Sequence, residues 1–190
     1  MRRILLTEYL TIDGVIDDPH EWIAPYWTDD LAAYLRREMR HSGALLLGRA
    51  TWEAAASSGR PTAWGVGAAF GIMPTYVVST TIPDTAGGPG VHILKDIAAI
   101  MELRDGDGPD FLVHGSVQLV RSLIAANLVD EYRLLTFPVV RGSGQRLFED
   151  GNVADSLILT AREHFPNGVT AHVYSPAEDA VFSRELPVAV

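Results

Sequence analysis

Three short runs in this 190-residue chain combine glycine, hydroxyl and arginine in the way phosphate binding requires. The first is Gly48-Arg49-Ala50-Thr51, directly after the apolar run Ala44–Leu47. The free N–H groups at a helix start attract phosphate, and glycine lets the backbone approach it closely. Thr51 adds a hydroxyl and Arg49 a planar, always charged fork. The second run is Val78-Ser79-Thr80, with hydroxyls at the end of the apolar run Tyr76–Val78. The third is His114-Gly115-Ser116, which follows Phe111-Leu112-Val113. Ligands of open α/β sheets collect at the carboxyl ends of strands. Each run alone reads more readily as tight turn packing, but three in series shift the balance toward one extended anionic ligand.

The elements that must position these runs follow from periodicity. Arg3 to Leu10 reads as a buried strand, and Thr11-Ile12-Asp13-Gly14 as the turn after it. A loop rich in Asp, Pro and Trp covers Val15 to Trp27. Thr28 suits a helix N-cap, Asp29 and Asp30 suit the positive first turn, and Leu31, Tyr34, Leu35 and Met39 recur at helical spacing. Strand Ala44–Leu47 and helix Arg49–Ala56 follow, and Ser57 to Gly71 carries no clear period. Strands Tyr76–Val78 and Val91–Ile93 precede a helix over Asp96–Leu103, with Ile97, Ile100 and Met101 on one face. Strand Phe111–Val113, helix Val117–Ala126 and strand Glu131–Val140 complete the alternating part. Leu157–Thr160 and Val169–Tyr174 read as an antiparallel pair around Pro166-Asn167-Gly168. The expectation is an α/β fold: a mainly parallel central sheet, helices on both faces and an antiparallel C-terminal edge. One domain over 1–175 and a tail over 176–190 are expected.

Composition narrows the function. The net charge of −9 argues against nucleic-acid binding, which needs a basic stripe, and against docking on anionic lipid. It does not forbid an anionic cofactor held by local N–H groups and one or two arginines. With no cysteine, disulfides, thiolate catalysis and cysteine-ligated zinc are excluded. The apolar run after Arg2-Arg3 is cut short by Glu8, too early for a signal-peptide core, so a cytoplasmic location is expected. No metal site is expected. The six histidines are scattered, and Asp17-Asp18-Pro19-His20-Glu21 reads as a solvated rim. Asp105-Gly106-Asp107-Gly108 lacks the spaced ligands of a calcium loop, and no strand precedes Gly65-Val66-Gly67 as a dinucleotide fingerprint requires.

The same runs carry a family resemblance. Leu45 to Glu53, read Leu-Leu-Leu-Gly-Arg-Ala-Thr-Trp-Glu, resembles the Gly-Arg-x-Thr-Trp/Tyr-Glu segment of the dihydrofolate reductase superfamily. Met73 to Ser79 is similar to its Pro-x-x-x-x-Val-x-Ser segment, and Val113 to Ser116 to its glycine-pair turn. Leu128 to Leu134, Pro138-Val139, Gly142-Ser143-Gly144 and Thr11 to Gly14 look most like one branch of that superfamily. The branch is named after the C-terminal reductase domain of the bifunctional riboflavin-biosynthesis protein, RibD. The resemblance covers about Arg3 to Tyr174, and it departs from the pattern at Ser116, where the superfamily has a second glycine.

The resemblance implies a dihydrofolate-reductase-like fold and an NADPH-dependent reductase of a small pyrimidine- or pterin-like substrate, of the riboflavin or the folate type. It implies that Arg49, Ser79 and Thr80 sit near the adenosine 2′-phosphate. It implies that Gly48, Thr51, Gly115 and Ser116 cradle the pyrophosphate and the nicotinamide end. Gly142 and Gly144 fall on its substrate-end loop. Asp30 matches the helix-start carboxylate of the folate enzymes, where it would assist protonation; it equally suits plain stabilisation of the helix start. Asp13 is a second catalytic candidate, although Asp-Gly is ordinary turn chemistry. Trp27 could stack on a flat substrate ring, or anchor its loop. A homodimer is implied as well. The alternative is a catalytically silent NADP-binding or sensing protein that keeps the fold.

Overall fold

The computed structural model describes residues 1–57, 72–148 and 156–177. Eight strands form one sheet: β1 (Ile4–Thr11), β2 (Ala44–Gly48), β3 (Thr75–Val78), β4 (Val91–Leu94), β5 (Phe111–Val113), β6 (Glu131–Phe137), β7 (Leu157–His164) and β8 (Thr170–Pro176). Their spatial order is β4-β3-β2-β5-β1-β6-β8-β7. The first six are mutually parallel, and β8 and β7 close the sheet as an antiparallel edge. The helices are α1 (Asp29–Arg40), α2 (Arg49–Ser57), α3 (Ile97–Asp105) and α4 (Val117–Ala125).

Chain direction explains why helices cover both faces. From β1 through β2 to β3 the chain steps one way across the sheet, and from β4 through β5 to β6 it steps back. Right-handed crossovers then put α1 and α2 on one face and α3 and α4 on the other. The packing agrees. Met39 of α1 and Trp52 of α2 meet Leu45, Leu47 and Leu112. Ile100 of α3 and Leu119, Val120 and Leu123 of α4 meet Ile4, Leu6, Leu46, Phe111 and Val113. Central strands buried on both sides read as continuous apolar runs, which is why β1 and β2 stood out in the sequence.

Local chemistry sets most boundaries. Thr28 caps α1 by accepting the Leu31 N–H at 3.3 Å, and Asp96 caps α3 by accepting the Ala99 N–H at 2.9 Å. Strand β6 stops at Phe137 rather than at Val140, because Pro138 has no N–H to donate. On α3 the buried face runs through Ile97, Ile100 and Leu103, and Met101 is exposed. Strand β7 continues to His164, beyond the expected Thr160, because β8 pairs with it along its length. The segment 58–71, which covers nearly all of the stretch without a clear period, lies outside the described residues, as do 178–190 of the tail.

Asp130 ties the layers together at the amino end of the sheet. Its Oδ2 accepts the Ile4 N–H at 2.7 Å, and its Oδ1 accepts from Arg104 at 2.5 Å. Asp130→Ala leaves the Ile4 N–H without its acceptor. The expected loss is about 1–3 kcal/mol in urea unfolding, with an unchanged m-value.

Candidate active site

Strand β5 is the shortest in the sheet. It pairs with β1 only through Ile4–Leu6 and with β2 only through Ala44–Leu46. Beyond Val113 the sheet opens, and β1 continues through Thr7–Thr11 with only β6 beside it. The turn His114-Gly115-Ser116 sits over this opening. Gly48, at the end of β2, donates its N–H to the Gly115 carbonyl at 3.1 Å. The peptide between Gly115 and Ser116 is cis. A Cβ on residue 48 would lie 2.1 Å from the Ser116 Oγ. The superfamily's second glycine is therefore replaceable here: the space that Gly48 leaves open is filled by the Ser116 side chain.

Two adjoining cavities lie along the carboxyl ends of the strands and share Ala50 and Ser116. The outer one holds about 480 Å³ between the ends of β2, β3 and β4 and the start of α4. Gly48, Arg49, Ser79, Thr80 and Ser116 line it, and so do Thr81, Lys95 and Gln118, which sequence reading missed. Arg49 donates to the Thr81 hydroxyl at 3.4 Å. Lys95 bridges Asp84 at 2.6 Å and the Ile82 carbonyl at 2.8 Å. The Ser79 hydroxyl accepts the N–H groups of Thr81 and Ile82 at 3.2 and 3.1 Å, so it builds the turn that presents Thr80 and Thr81.

The helix starts at the joint between the cavities are open. Neither α2 nor α4 has an acidic residue in its first turn, and Ser116 makes no side-chain cap to α4. Helix α1, away from the joint, has Asp29, Asp30 and a capping threonine. The positive ends of α2 and α4 are thus left for an external anion.

The inner cavity, about 540 Å³, is lined by Glu8, Tyr9, His114 and Gly115, by Thr51 and Ala54 of α2, and by the loop Ile16–His20. Glu8 leaves β1 on the α4 side, past the end of β5. Its Oε1 is enclosed and has no hydrogen-bond partner among the described residues. Burial raises its carboxyl to about 8, opposed by the Gly115 backbone N–H. His114 is lowered to about 4, by burial first and then by the charge of Arg133. Both groups are therefore largely uncharged near neutral pH. Sequence reading passed over Glu8 because a single acid in an apolar strand carries no motif; its signal was that interruption itself. The loop Asp17–His20, expected as a solvated rim, contributes to the cavity wall.

The remaining candidates fall outside both linings. Asp30 is exposed at the start of α1. Asp13 is half-buried and serves as a latch between two loops. It accepts from the Thr11 hydroxyl at 2.6 Å and from the N–H groups of Arg141 and Gly142 at 3.2 and 2.8 Å. The Thr11 bond, with the two N–H groups, holds its carboxyl down to about 2. Trp27 packs with Trp22 and Tyr26 on the cluster around Phe137, which anchors the loop. Gly142 takes part in the Asp13 latch. Gly144 (φ +131°) lies beneath the cavity loop, where a Cβ would come within 2.6 Å of Asp17 Oδ1 and Val15 Cγ1.

The RibD C-terminal domain family matches residues 2–171. The chain belongs to this family. Over 83 residues it is 35% identical to the uncharacterized protein YyaP of Bacillus subtilis (strain 168), a match covering 44% of this chain and 43% of YyaP. Its fold is shared with a candidate riboflavin biosynthesis protein from Shewanella sp. PV-4, with a TM-score of 0.71 and 19% identity over 94% of this chain and all of the other. It is shared with Enterococcus faecalis dihydrofolate reductase complexed with NADP(H) and RAB-propyl, with a TM-score of 0.65 and 17% identity over 93% and 97% of the two chains. The RibD C-terminal chain described here thus has a reductase-type, dihydrofolate-reductase-like fold. Among its described residues no helix is long and apolar enough to cross a membrane.

The opposite shifts of Glu8 and His114 make stability depend on pH in a way that one substitution exposes. Between about 4.5 and 8 the folded protein keeps a proton on Glu8 that the unfolded chain has released, so stability falls as pH rises. Between about 4 and 6.5 the unfolded chain binds a proton on His114 that the folded protein does not, so stability rises with pH. The two slopes oppose each other up to pH 6.5, and above it the Glu8 slope stands alone. Thermal melting of the wild type is expected to be nearly level to about 6.5 and to fall toward 8. Glu8→Gln should rise to about 6.5 and then hold level, melting above the wild type at pH 8. Parallel profiles for the two proteins would refute the burial of this carboxyl.

Proposed function

We propose that this protein is an NADPH-dependent reductase of a small nitrogen heterocycle or other conjugated substrate. One observation carries the reading: two acid-free helix starts, α2 and α4, meet at the joint of two cavities whose outer lobe holds Arg49 and Lys95. That arrangement fits a dinucleotide, with a pyrophosphate at the joint and a further phosphate beside Arg49. Both cavities fall in the size range of small-molecule sites.

In this reading the N–H groups at Arg49–Thr51 and at Val117–Gln118 hold the pyrophosphate, with Gly48 and Ser116 allowing its approach. Arg49, Thr80 and Thr81 face the adenosine phosphate, and Ser79 fixes their turn. NADPH, when bound, supplies the hydride. Thr51, Gly115 and the ring of His114 border the inner lobe and orient what lies there. Glu8, protonated in its enclosed setting, holds a proton at the lobe wall for the reacting atom. The walls of Ile16, Ile23, Ala54 and Ala55 exclude water. Two features that favoured a silent nucleotide binder lose weight: Ser116 is accommodated, and Glu8 offers a carboxyl where Asp30 does not.

Titration with NADPH and NADH, followed by nicotinamide fluorescence, tests the reading. NADPH should bind more tightly than NADH. Arg49→Ala should cost about 1.5–3 kcal/mol, roughly tenfold to a hundredfold, on NADPH and little on NADH. Binding of neither nucleotide ends the proposal.

We also propose a homodimer. Strand β7 is an edge whose Ile158 and Leu159 are half exposed, at 51% and 45%, and such an edge invites a partner. Light scattering on the purified protein should give twice the chain mass; a monomer mass would remove the claim.

A further inference from the structure

Helix α4 reaches both cavities and the loop that walls the inner one. Ser116 at its N-cap lines both cavities, Val117 lines the inner one and Gln118 the outer one. One turn further on, half-buried Arg121 donates from Nη2 to the Arg146 carbonyl at 2.9 Å. Arg146 belongs to a two-stranded ladder of minimal length. It lies opposite Val15 in an antiparallel bridge. The Ile16 N–H donates to the Gln145 carbonyl at 2.9 Å, and the Leu147 N–H donates to the Gly14 carbonyl at 3.2 Å. These bonds leave the backbone groups of Val15 and of Arg146 pointing outward, on opposite edges of the ladder. Thr11 takes the Val15 edge: its hydroxyl accepts the Val15 N–H at 2.9 Å, and its N–H donates to the Val15 carbonyl at 3.0 Å. Arg121 takes the Arg146 carbonyl and stands where a third strand would. Two strands alone are marginal in water, so edge contacts decide whether the pair holds. The pair brings Ile16, Asp17 and Gln145 to the inner wall.

We propose that Arg121 is a positioning residue that ties this ladder to α4, and that a nucleotide held at the open start of α4 steadies the inner wall through it. Four residues separate Arg121 from Val117, so fraying of the first turn of α4 loosens the backbone that carries the guanidinium. An anion at the free N–H groups binds the intact first turn and not the frayed one. That difference supplies the differential affinity that any such coupling needs. Ile16 and Leu147 pack in the same cluster as Leu119, Val120 and Leu123 of α4, so ladder and helix share one apolar contact. The guanidinium adds the directional, charge-assisted bond that the apolar contact lacks. The tie stands on these contacts alone; the coupling to a nucleotide rests on the reductase reading.

Hydrogen exchange read by mass spectrometry on the full chain tests both, for wild type, Arg121→Met and Arg121→Lys, with and without saturating NADP+. Without nucleotide, Arg121→Met should speed exchange in 14–18 and 144–147 about tenfold, with the amides of β1 and β6 unchanged. Arg121→Lys keeps an N–H donor for the Arg146 carbonyl and should restore most of the protection. NADP+ should slow exchange of the two segments at least about threefold in wild type and in Arg121→Lys, and leave Arg121→Met as it was. Equal exchange in wild type and Arg121→Met overturns the tie. So does a general rise across the sheet in Arg121→Met with no recovery in Arg121→Lys, since the arginine then serves only global stability. NADP+ that binds yet leaves the two segments unchanged in wild type, or slows them as much in Arg121→Met, overturns the coupling. If NADP+ does not bind, the reductase reading fails and the coupling with it, while the nucleotide-free comparison still decides the tie.

Discussion

The site depends on how early β5 ends. A central strand of three residues, Phe111–Val113, holds β1 and β2 together at one end of the sheet and releases them at the other. The gap leaves one flank of β1 free beyond Leu6, and Glu8 turns into it. It also gives the turn at Gly115-Ser116 room to fold back across the end of β2. The close contact with Gly48 then brings the starts of α2 and α4 to one point. A longer β5 would pair with Thr7 and Glu8 and close the gap. The chain reverses its direction of travel across the sheet around this position, which is where open α/β sheets commonly bind ligands.

Charge is distributed over the fold with comparable economy. The chain carries a net charge of −9, yet Arg49, Lys95 and two acid-free helix starts lie along the outer cavity and its joint with the inner one. Helix α1 neutralises its own start with Asp29, Asp30 and Thr28, and so has nothing left to offer a ligand. Helices α2 and α4 carry no such acids. The contrast between helices of one protein is more informative than any single helix start, because every helix has a dipole and few leave it uncompensated.

Two carboxylates in adjacent parts of the chain show how environment divides one chemistry. Asp13 is half-buried, accepts three hydrogen bonds and is held ionised, so it works as a fastener between the turn after β1 and the loop after β6. Glu8 is enclosed, leaves one oxygen without a partner and retains its proton to about pH 8. Hydrogen bonds to the charged form lower a pKa, and desolvation raises it. The fastener supports the site indirectly: with Gly144 it keeps the loop Val15–Asp17 against the inner cavity.

Periodicity and capping chemistry determined most of the fold from the sequence. The strands of the parallel part are continuous apolar runs, and Thr28 and Asp96 mark helix starts, because these signals depend only on neighbours along the chain. The runs at Gly48, Ser79 and Gly115 were legible for the same reason. The tertiary structure alone decided which polar residues share a cavity. Asp30, Asp13 and Trp27 have the right residue types, yet they serve a helix start, a loop latch and a loop anchor. Glu8 and Asp17 in the inner lobe, and Arg49 and Lys95 in the outer one, come from separate elements and share a lobe only because the sheet order places their strands and loops side by side. Strand pairing between segments distant in sequence sets that order, and no local pattern encodes which carboxylate it will enclose.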